Sequence, residues 1–295
     1  TAAQCQWIHE AVGYETVVAE TLNPVLAGFQ APKIVWLRDN EPENYARVCK
    51  VLLPKDYVRF LLTGEYATEV SDASGTSLLN VPERRWSEAM IKGIGLSEEW
   101  LPRVFESPEI SGRVTEEAAA TTGLALGTPV VGGGGDQAAG AVGNGIVETG
   151  VVSSTLGTSG VVFACLDEPL TDGKLRTHTF CHAVPGKWHT MGVMLSAGGS
   201  VRWLRDALCS EEVAVAARLE RDPYELIDAQ ADTVPPGANG LVFLPYLTGE
   251  RTPYPNPNAK GVFFGLSLMH DKRHLARAVL EGVAFGMRDS FAIIK

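Results

Sequence analysis

Residues 129–143 read PVVGGGGDQAAGAVG. The apolar run Pro129, Val130, Val131 predicts the end of a buried strand. Four glycines follow, Gly132 to Gly135, then one acid, Asp136, one amide, Gln137, and small residues that can form a helix. Four successive glycines cost backbone entropy, so something must need the space. A ligand approaching the main chain is the simplest such need. Asp136 then stands where strand gives way to helix, and a helix N-terminus favours an ionised carboxylate. An ionised carboxylate facing an open, glycine-lined cleft is what a proton-abstracting base requires. The same pattern also fits a plain capped strand-to-helix connection. It is neither GxGxxG nor GxxxxGK[ST], so the dinucleotide and P-loop fingerprints do not apply.

The remaining composition narrows the class. The 295 residues are 45% hydrophobic and 20% charged, which predicts a soluble globular protein with room for two domains. A net charge of −10 offers no basic footprint for nucleic acid or an acidic membrane. A phosphorylated ligand would have to be held by backbone amides, a metal ion or a few placed cations. No apolar run approaches the ~20 residues that span a bilayer, and the opening TAAQCQWIHE lacks the features of a signal peptide. The five cysteines, Cys5, Cys49, Cys165, Cys181 and Cys209, form no CxxC, which fits reduced thiols in a cytoplasmic protein. The histidines show no metal-ligand spacing.

Working outward, residues 1–20 carry helical periodicity. Residues 52–65, LLPKDYVRFLLTGE, read as a helix after Pro54 that stops at Thr63 and Gly64. SDASGT at 71–76 reads as a polar turn before residues 77–80, with Asp72 capping or turning the chain. Ser97 with Glu98 and Glu99 looks like a helix start, and Thr115 opens the helical TEEAAATTG. Residues 151–163 read as two strands joined by a tight turn containing LGTSG, with Gly157 and Gly160 freeing the backbone. Such a tip offers amides to phosphate oxygens as a nest does, although turn chemistry alone also explains it. At 196–200, SAGGS opens an amphipathic helix, and a glycine pair at a helix start has the natural geometry for an anion. Residues 211–231 read as helical and acidic, and a long helix begins near His274. Strands and hairpins alternating with helices predict α/β layers with mixed sheets. A boundary near 144–150 divides the chain into residues 1–146 and 147–295, with a cleft between Asp136 and LGTSG.

Several of these segments together resemble the FGGY family of carbohydrate kinases. FQAPKIVWL at 29–37 resembles the first family signature, with Gln30 as a departure from the small or hydroxyl residue usual there. GVFFGL at 261–266, followed by His274, Leu275 and residues 278–281, AVLE, resembles the second. Gly134, Gly135 and Asp136 resemble the catalytic-base motif, and LGTSG the second phosphate-binding motif. FLPYL at 243–247 and GERTP at 249–253 also fit. GFQAPK, LLPKDYVRFLLTGE, SDASGTS and TFCHAVPGKWH resemble most the family members that act on D-xylulose.

The resemblance implies an actin-like, ribonuclease-H-like α/β fold of two domains closing on ATP and sugar. The first part, 1–146, would belong to the sugar-binding domain and 147–295 to the nucleotide-binding domain. Asp136 would take the proton from the sugar's primary hydroxyl, and Gln137 would contact sugar hydroxyls. Gly157 and Thr158 would hold the β- and γ-phosphates. Gly198 and Gly199 would lie against the nucleotide, flanked by Arg202. Magnesium would neutralise the phosphates, with no ligand to it assigned in this chain. The family's chains are longer, so an Asp–Gly phosphate turn is expected before Thr1 and an adenine-binding segment after Lys295. The chain is then a central portion of a cytoplasmic enzyme, and a homodimer stays open. Kinases of ribulose, gluconate or glycerol are the nearest alternatives. A non-catalytic sugar-binding module is a second class. A hydrolase pairing Glu250 with Asp136 is a third, without local motif support.

Overall fold

The computed structural model describes residues 1–295. The chain forms two compact units. Unit 1 comprises Thr1–Val151 and Ala164–Thr190, and unit 2 comprises Val152–Phe163 and Met191–Lys295.

Unit 1 begins with helices α1 (Ala2–Val12) and α2 (Tyr14–Thr21), broken at Gly13, whose φ of 91° no L side chain adopts comfortably. Helices α3 (Gln30–Asn40), α4 (Pro42–Tyr45) and α5 (Pro54–Thr63) follow. Helix α5 ends on Gly64 in the left-handed conformation, as LLPKDYVRFLLTGE predicts, and takes Pro54 into its first position. Strand β1 (Ala67–Glu69) runs directly into a one-turn helix, α6 (Val70–Ala73). The turn expected over 71–76 is thus largely helical, continuing as a 3₁₀ turn at Ser74–Thr76. Its N-cap is Glu69, not Asp72, because the Glu69 carboxylate accepts the N–H groups of both Ser71 and Asp72.

Next come β2 (Leu79–Asn80), β3 (Arg85–Trp86) and α7 (Glu88–Ile94). The helix expected after Ser97 is only a 3₁₀ turn, Glu98–Trp100, since Pro102 stands too close for an α-helix to propagate. Strands β4 (Arg103–Phe105) and β5 (Ile110–Arg113) lead to α8 (Glu116–Thr122), capped by the Thr115 hydroxyl and closed by Gly123. Strand β6 (Pro129–Val131) and helix α9 (Asp136–Gly143) complete the quoted stretch. β1 pairs parallel with β4, and β5 pairs antiparallel with β6. The expectation of a buried strand at 129–131 is corrected: β6 has one partner strand and leaves Pro129 and Val131 exposed. Its apolar run reflects β-propensity rather than burial.

The unit 1 core gathers Ile8, Val17, Ile34, Val35, Leu78, Met90, Ile91 and Ile94. Each such side chain contributes about 1.5–3 kcal/mol when taken from water. A second cluster, Val70, Ala73, Leu79, Val81 and Cys181, lies under α6.

Strands β7 (Val152–Leu156), β8 (Gly160–Leu166), β9 (His178–Cys181) and β10 (Trp188–Met194) follow in chain order. Unit 1 keeps residues 164–166 of β8 and 188–190 of β10, with β9 beside β10. Unit 2 keeps residues 160–163 and 191–194, with β7 beside β8. The β7–β8 hairpin is the one LGTSG predicts.

Unit 2 continues with α10 (Gly198–Leu208), α11 (Ser210–Leu219) and α12 (Pro223–Asp232), then β11 (Val242–Leu244), β12 (Val262–Phe264) and the long α13 (Lys272–Ile294). The helical stretch expected over 211–231 is two helices, divided where Glu220 turns left-handed at φ 53°. Asp271 and His274 form a reciprocal capping box at the start of α13. Leu204, Ile227, Leu241, Phe243 and Val279 centre the unit 2 core. A second cluster, Val162, Met194, Ala197, Val283 and Met287, joins the strands to α13.

Candidate active site

In unit 1 the four glycines divide into two pairs. A Cβ on Gly132 would stand 2.9 Å from the Glu106 carbonyl oxygen and 3.0 Å from Glu69 Cβ, so packing forbids a side chain. Gly133 holds φ 89°, which favours glycine outright. Gly134 and Gly135 have neither constraint, for the nearest atoms to an added Cβ lie at 3.5 Å. A methyl at either position would make ordinary contact, with Ala139 and Ala183 at Gly134 and with Asp72 at Gly135. Asp136 is the first residue of α9 and is exposed, as is Gln137. One Asp136 carboxylate oxygen accepts the Gln137 N–H at 2.8 Å. The carboxylate thus sits at the N-terminal, positive end of the α9 helix dipole.

The surroundings of Asp136 are built by residues the motif reading passed over. The Ser71 hydroxyl accepts the Gly135 N–H at 2.9 Å. The Ser107 carbonyl accepts the N–H of Gly133 at 3.1 Å. Ser107 in turn donates its hydroxyl to Glu69 at 2.8 Å. Lys55 reaches Asp56 at 2.6 Å, Glu69 at 3.3 Å and Asp72 at 3.8 Å. Burial pushes the Asp72 carboxyl up to about 6, against the pull of Lys55, with Glu69, Asp56 and Asp136 adding repulsion. Lys55 and Asp56 lie in KDYVR and Ser71 and Asp72 in SDASGTS, whereas Glu69 and Ser107 fall outside both segments, and the sequence pattern of Asp72 is that of turn chemistry. The overlooked signal is one lysine shared among so many nearby acids.

In unit 2 the hairpin tip and the start of α10 are laced together. Ala197, Gly198 and Gly199 donate their N–H groups to Thr158, Gly157 and Thr158 carbonyls at 2.9, 2.9 and 3.0 Å. The Ser200 N–H is taken by the Ala197 carbonyl at 2.9 Å. The expected anion site at this helix start is therefore corrected: its amides already have partners inside the chain. Glycine is required at 198 for a different reason, since a Cβ there would lie 2.5 Å from the Gly157 oxygen.

What the lacing leaves for a ligand is the tip itself. The Gly157 N–H turns inward to the Ser159 carbonyl at 2.9 Å. The N–H groups of Thr158 and Ser159 and their hydroxyls have no partner in the chain. Two adjacent amides with two hydroxyls can bind phosphate oxygens. Arg202 is exposed one turn along α10. An apolar pocket of about 600 Å³ opens beside Gly198, lined by Leu156, Val201, Val283, Met287 and Phe291. Glu250 is almost wholly buried and accepts the N–H groups of Leu195 and Arg251 at 2.9 and 2.8 Å, a role in fixing the loop after β11. The chain brings no three His, Cys, Asp or Glu side chains together as a metal centre.

Comparison with known proteins divides the chain by sequence, whereas the compact units place residues 164–190 with the first part rather than with the 147–295 segment expected from the sequence. The model of the FGGY family of carbohydrate kinases, N-terminal domain, matches residues 1–143, and that of the C-terminal domain matches 152–295. The chain is 44% identical to a xylulose kinase of Escherichia coli K12 over 99% of its own length and 58% of that protein. It is 35% identical to a gluconokinase of Bacillus subtilis over 97% of its length and 56% of that protein. Among solved structures, the xylulose kinase from Rhodospirillum rubrum superposes with a TM-score of 0.89 at 32% identity, covering 99% of this chain and 57% of that one. The fold is thus the actin-like fold of these sugar kinases. The chain spans somewhat over half the length of the relatives it matches.

Proposed function

We propose that this chain, which belongs to the FGGY family of carbohydrate kinases, carries the base and part of the phosphate site of an ATP-dependent D-xylulose kinase. The observation that carries the reading is Asp136. It is an exposed carboxylate at the first position of α9, directly after the Gly132–Gly135 run.

The Asp136 carboxylate takes the proton of the sugar's primary hydroxyl. The freed oxygen attacks the γ-phosphorus in line, the bond to the β-phosphate oxygen breaks, and ADP leaves with that electron pair. Gln137, next on the same turn, orients sugar hydroxyls. The tip formed by Gly157 and Thr158 holds β- and γ-phosphate oxygens, using the open amides of Thr158 and Ser159. Gly198 and Gly199 serve as the platform that fixes this tip against α10, and Arg202 flanks the nucleotide. Bound with ATP, magnesium supplies charge neutralisation on the phosphates. The free state of all five cysteines accords with a cytoplasmic location.

A kinase for gluconate is the second reading, favoured by the likeness to the gluconokinase. The test is ADP release with ATP, magnesium and D-xylulose, D-gluconate, D-ribulose or glycerol, using the protein at its relatives' length. D-xylulose is expected to give the highest kcat/KM. Asp136→Asn is expected to lower kcat by about 10²–10⁴-fold with sugar affinity kept. Turnover unchanged in that variant sinks the assignment of the base, and preference for gluconate replaces the substrate.

A further inference from the structure

The hairpin tip of unit 2 is held from behind by the loop that carries GERTP. That loop closes on itself, with the Glu250 N–H reaching the Asn256 carbonyl at 2.9 Å and the Asn256 N–H returning to the Glu250 carbonyl at 3.0 Å. It then runs along the end of β10. The Thr252 N–H donates to the Val193 carbonyl at 3.1 Å, and the Thr252 hydroxyl accepts the Val193 N–H at 3.1 Å. Beyond β10 side chains take over. Glu250 Oε1 accepts the Leu195 N–H at 2.9 Å and the Arg251 N–H at 2.8 Å. The Ser196 and Thr248 hydroxyls share a hydrogen bond of 2.9 Å.

The next three residues, Ala197, Gly198 and Gly199, are those whose N–H groups hold the carbonyls of Gly157 and Thr158. The Glu250 carboxylate thus anchors the chain two residues before the amides that fix the tip. There is no slack between turn and tip. A Cβ on Gly198 would lie 2.5 Å from the Gly157 oxygen, and one on Gly199 would lie 3.1 Å from the Thr158 oxygen. A displaced turn therefore carries the tip with it. Glu250 is 2% exposed, and its second oxygen, Oε2, has no partner. Burying an unbonded carboxylate oxygen destabilises the fold. What the carboxylate adds in return is a strong acceptor that joins two N–H groups at one atom.

We propose that Glu250 is a positioning residue for the phosphate tip: by holding Leu195 it fixes the turn at 195–199, and through that turn the place where Thr158 and Ser159 present their open amides. This rests on the reading that the tip holds ATP phosphates. Donors held in place bind without an ordering cost, and a small displacement weakens them steeply. Glu250 thereby acts on ATP and not on the sugar, whose proposed contacts, Asp136 and Gln137, belong to unit 1.

Initial rates with ATP and D-xylulose varied in turn, on the protein at its relatives' length, test this. Glu250→Ala removes the acceptor from Leu195 and Arg251. It is expected to raise KM for ATP roughly 10-fold and to leave KM for the sugar within about 2-fold. Glu250→Gln keeps an amide oxygen that accepts the same two N–H groups and is expected within about 3-fold of wild type for both substrates. Loss of folded enzyme alone would lower kcat and leave both KM values in place. An unchanged KM for ATP in Glu250→Ala, a rise shared equally by the sugar, or a Glu250→Gln no better than Glu250→Ala overturns the proposal. Where the alanine variant does not fold, Glu250→Asp takes its place: it draws the acceptor back by one methylene and is expected to raise KM for ATP roughly 3- to 10-fold. Gly198→Ala separates the failures, because its methyl displaces the tip directly. ATP handling impaired in Gly198→Ala but normal in Glu250→Ala removes this inference alone. ATP handling normal in both removes the phosphate role of the tip, and this inference with it.

Discussion

The Asp72 corner should cost stability, and Asp72→Asn measures that cost. Burial and the neighbouring carboxylates raise the Asp72 carboxyl from an ordinary 3.8 to about 6. In the folded chain Asp72 thus holds its proton over a pH range in which the unfolded chain has lost it. Its contribution to stability is present below 3.8 and is lost as pH rises through 6. At neutral pH the penalty would be roughly 3 kcal/mol for a fully buried group. The side chain keeps 33% of its exposure, so solvent screening reduces this to about 1–2 kcal/mol. Asparagine has nearly the same shape and no charge, so it removes the penalty. Thermal unfolding at pH 7.5 is expected to show Asp72→Asn melting about 2–8 °C above wild type, with the gain vanishing by pH 4. A lower melting temperature at pH 7.5, or an equal gain at both pH values, would refute the reasoning. A site that gives up stability for charge in this way is typical of functional positions.

The glycine pairs predict opposite outcomes. Gly132→Ala forces a methyl to 2.9 Å from the Glu106 oxygen and should destabilise by about 1–3 kcal/mol, read by urea unfolding. Gly134→Ala meets nothing closer than 3.5 Å, where its methyl makes ordinary contact with Ala139 and Ala183, so stability should hold or rise slightly. Gly198→Ala drives the Gly157 oxygen away from 2.5 Å and shifts the hairpin tip. Steady-state kinetics should show kcat/KM for ATP reduced roughly 10- to 100-fold. Gly282→Ala, 2.4 Å from the Phe243 carbonyl oxygen where α13 crosses β11, should destabilise unit 2 by roughly 2–4 kcal/mol. Burial lowers the His189 imidazole to about 3, so it is neutral in the fold and protonates on unfolding. Compared with His189→Asn, the wild-type chain should therefore lose about 1.4 kcal/mol more stability per pH unit below 6.5. A constant difference between the two from pH 6.5 to 4.5 would sink that assignment.

What could be read from the chain were features whose cause is local. Pro54 and Gly64 fix the ends of α5, and Thr115 and Gly123 fix those of α8, because caps and left-handed turns are decided within a few residues. The LGTSG hairpin and the strand–glycine–Asp136–helix order were legible for the same reason, and so was the family, whose motifs are contiguous words. The chain by itself therefore determined the order of elements and the residue that serves as base under the proposed function. The tertiary structure decided the rest. It showed that Gly132 and Gly133 answer to packing and backbone angle while Gly134 and Gly135 do not, since the Glu106 oxygen that crowds Gly132 lies 26 positions away in sequence. It turned the amides of Gly198 and Gly199 inward to the hairpin tip. It also gathered Lys55, Glu69, Ser71 and Asp72 behind Asp136. Electrostatic and hydrogen-bond energies depend on separation in space, and a chain that folds back brings together charges that its sequence holds far apart.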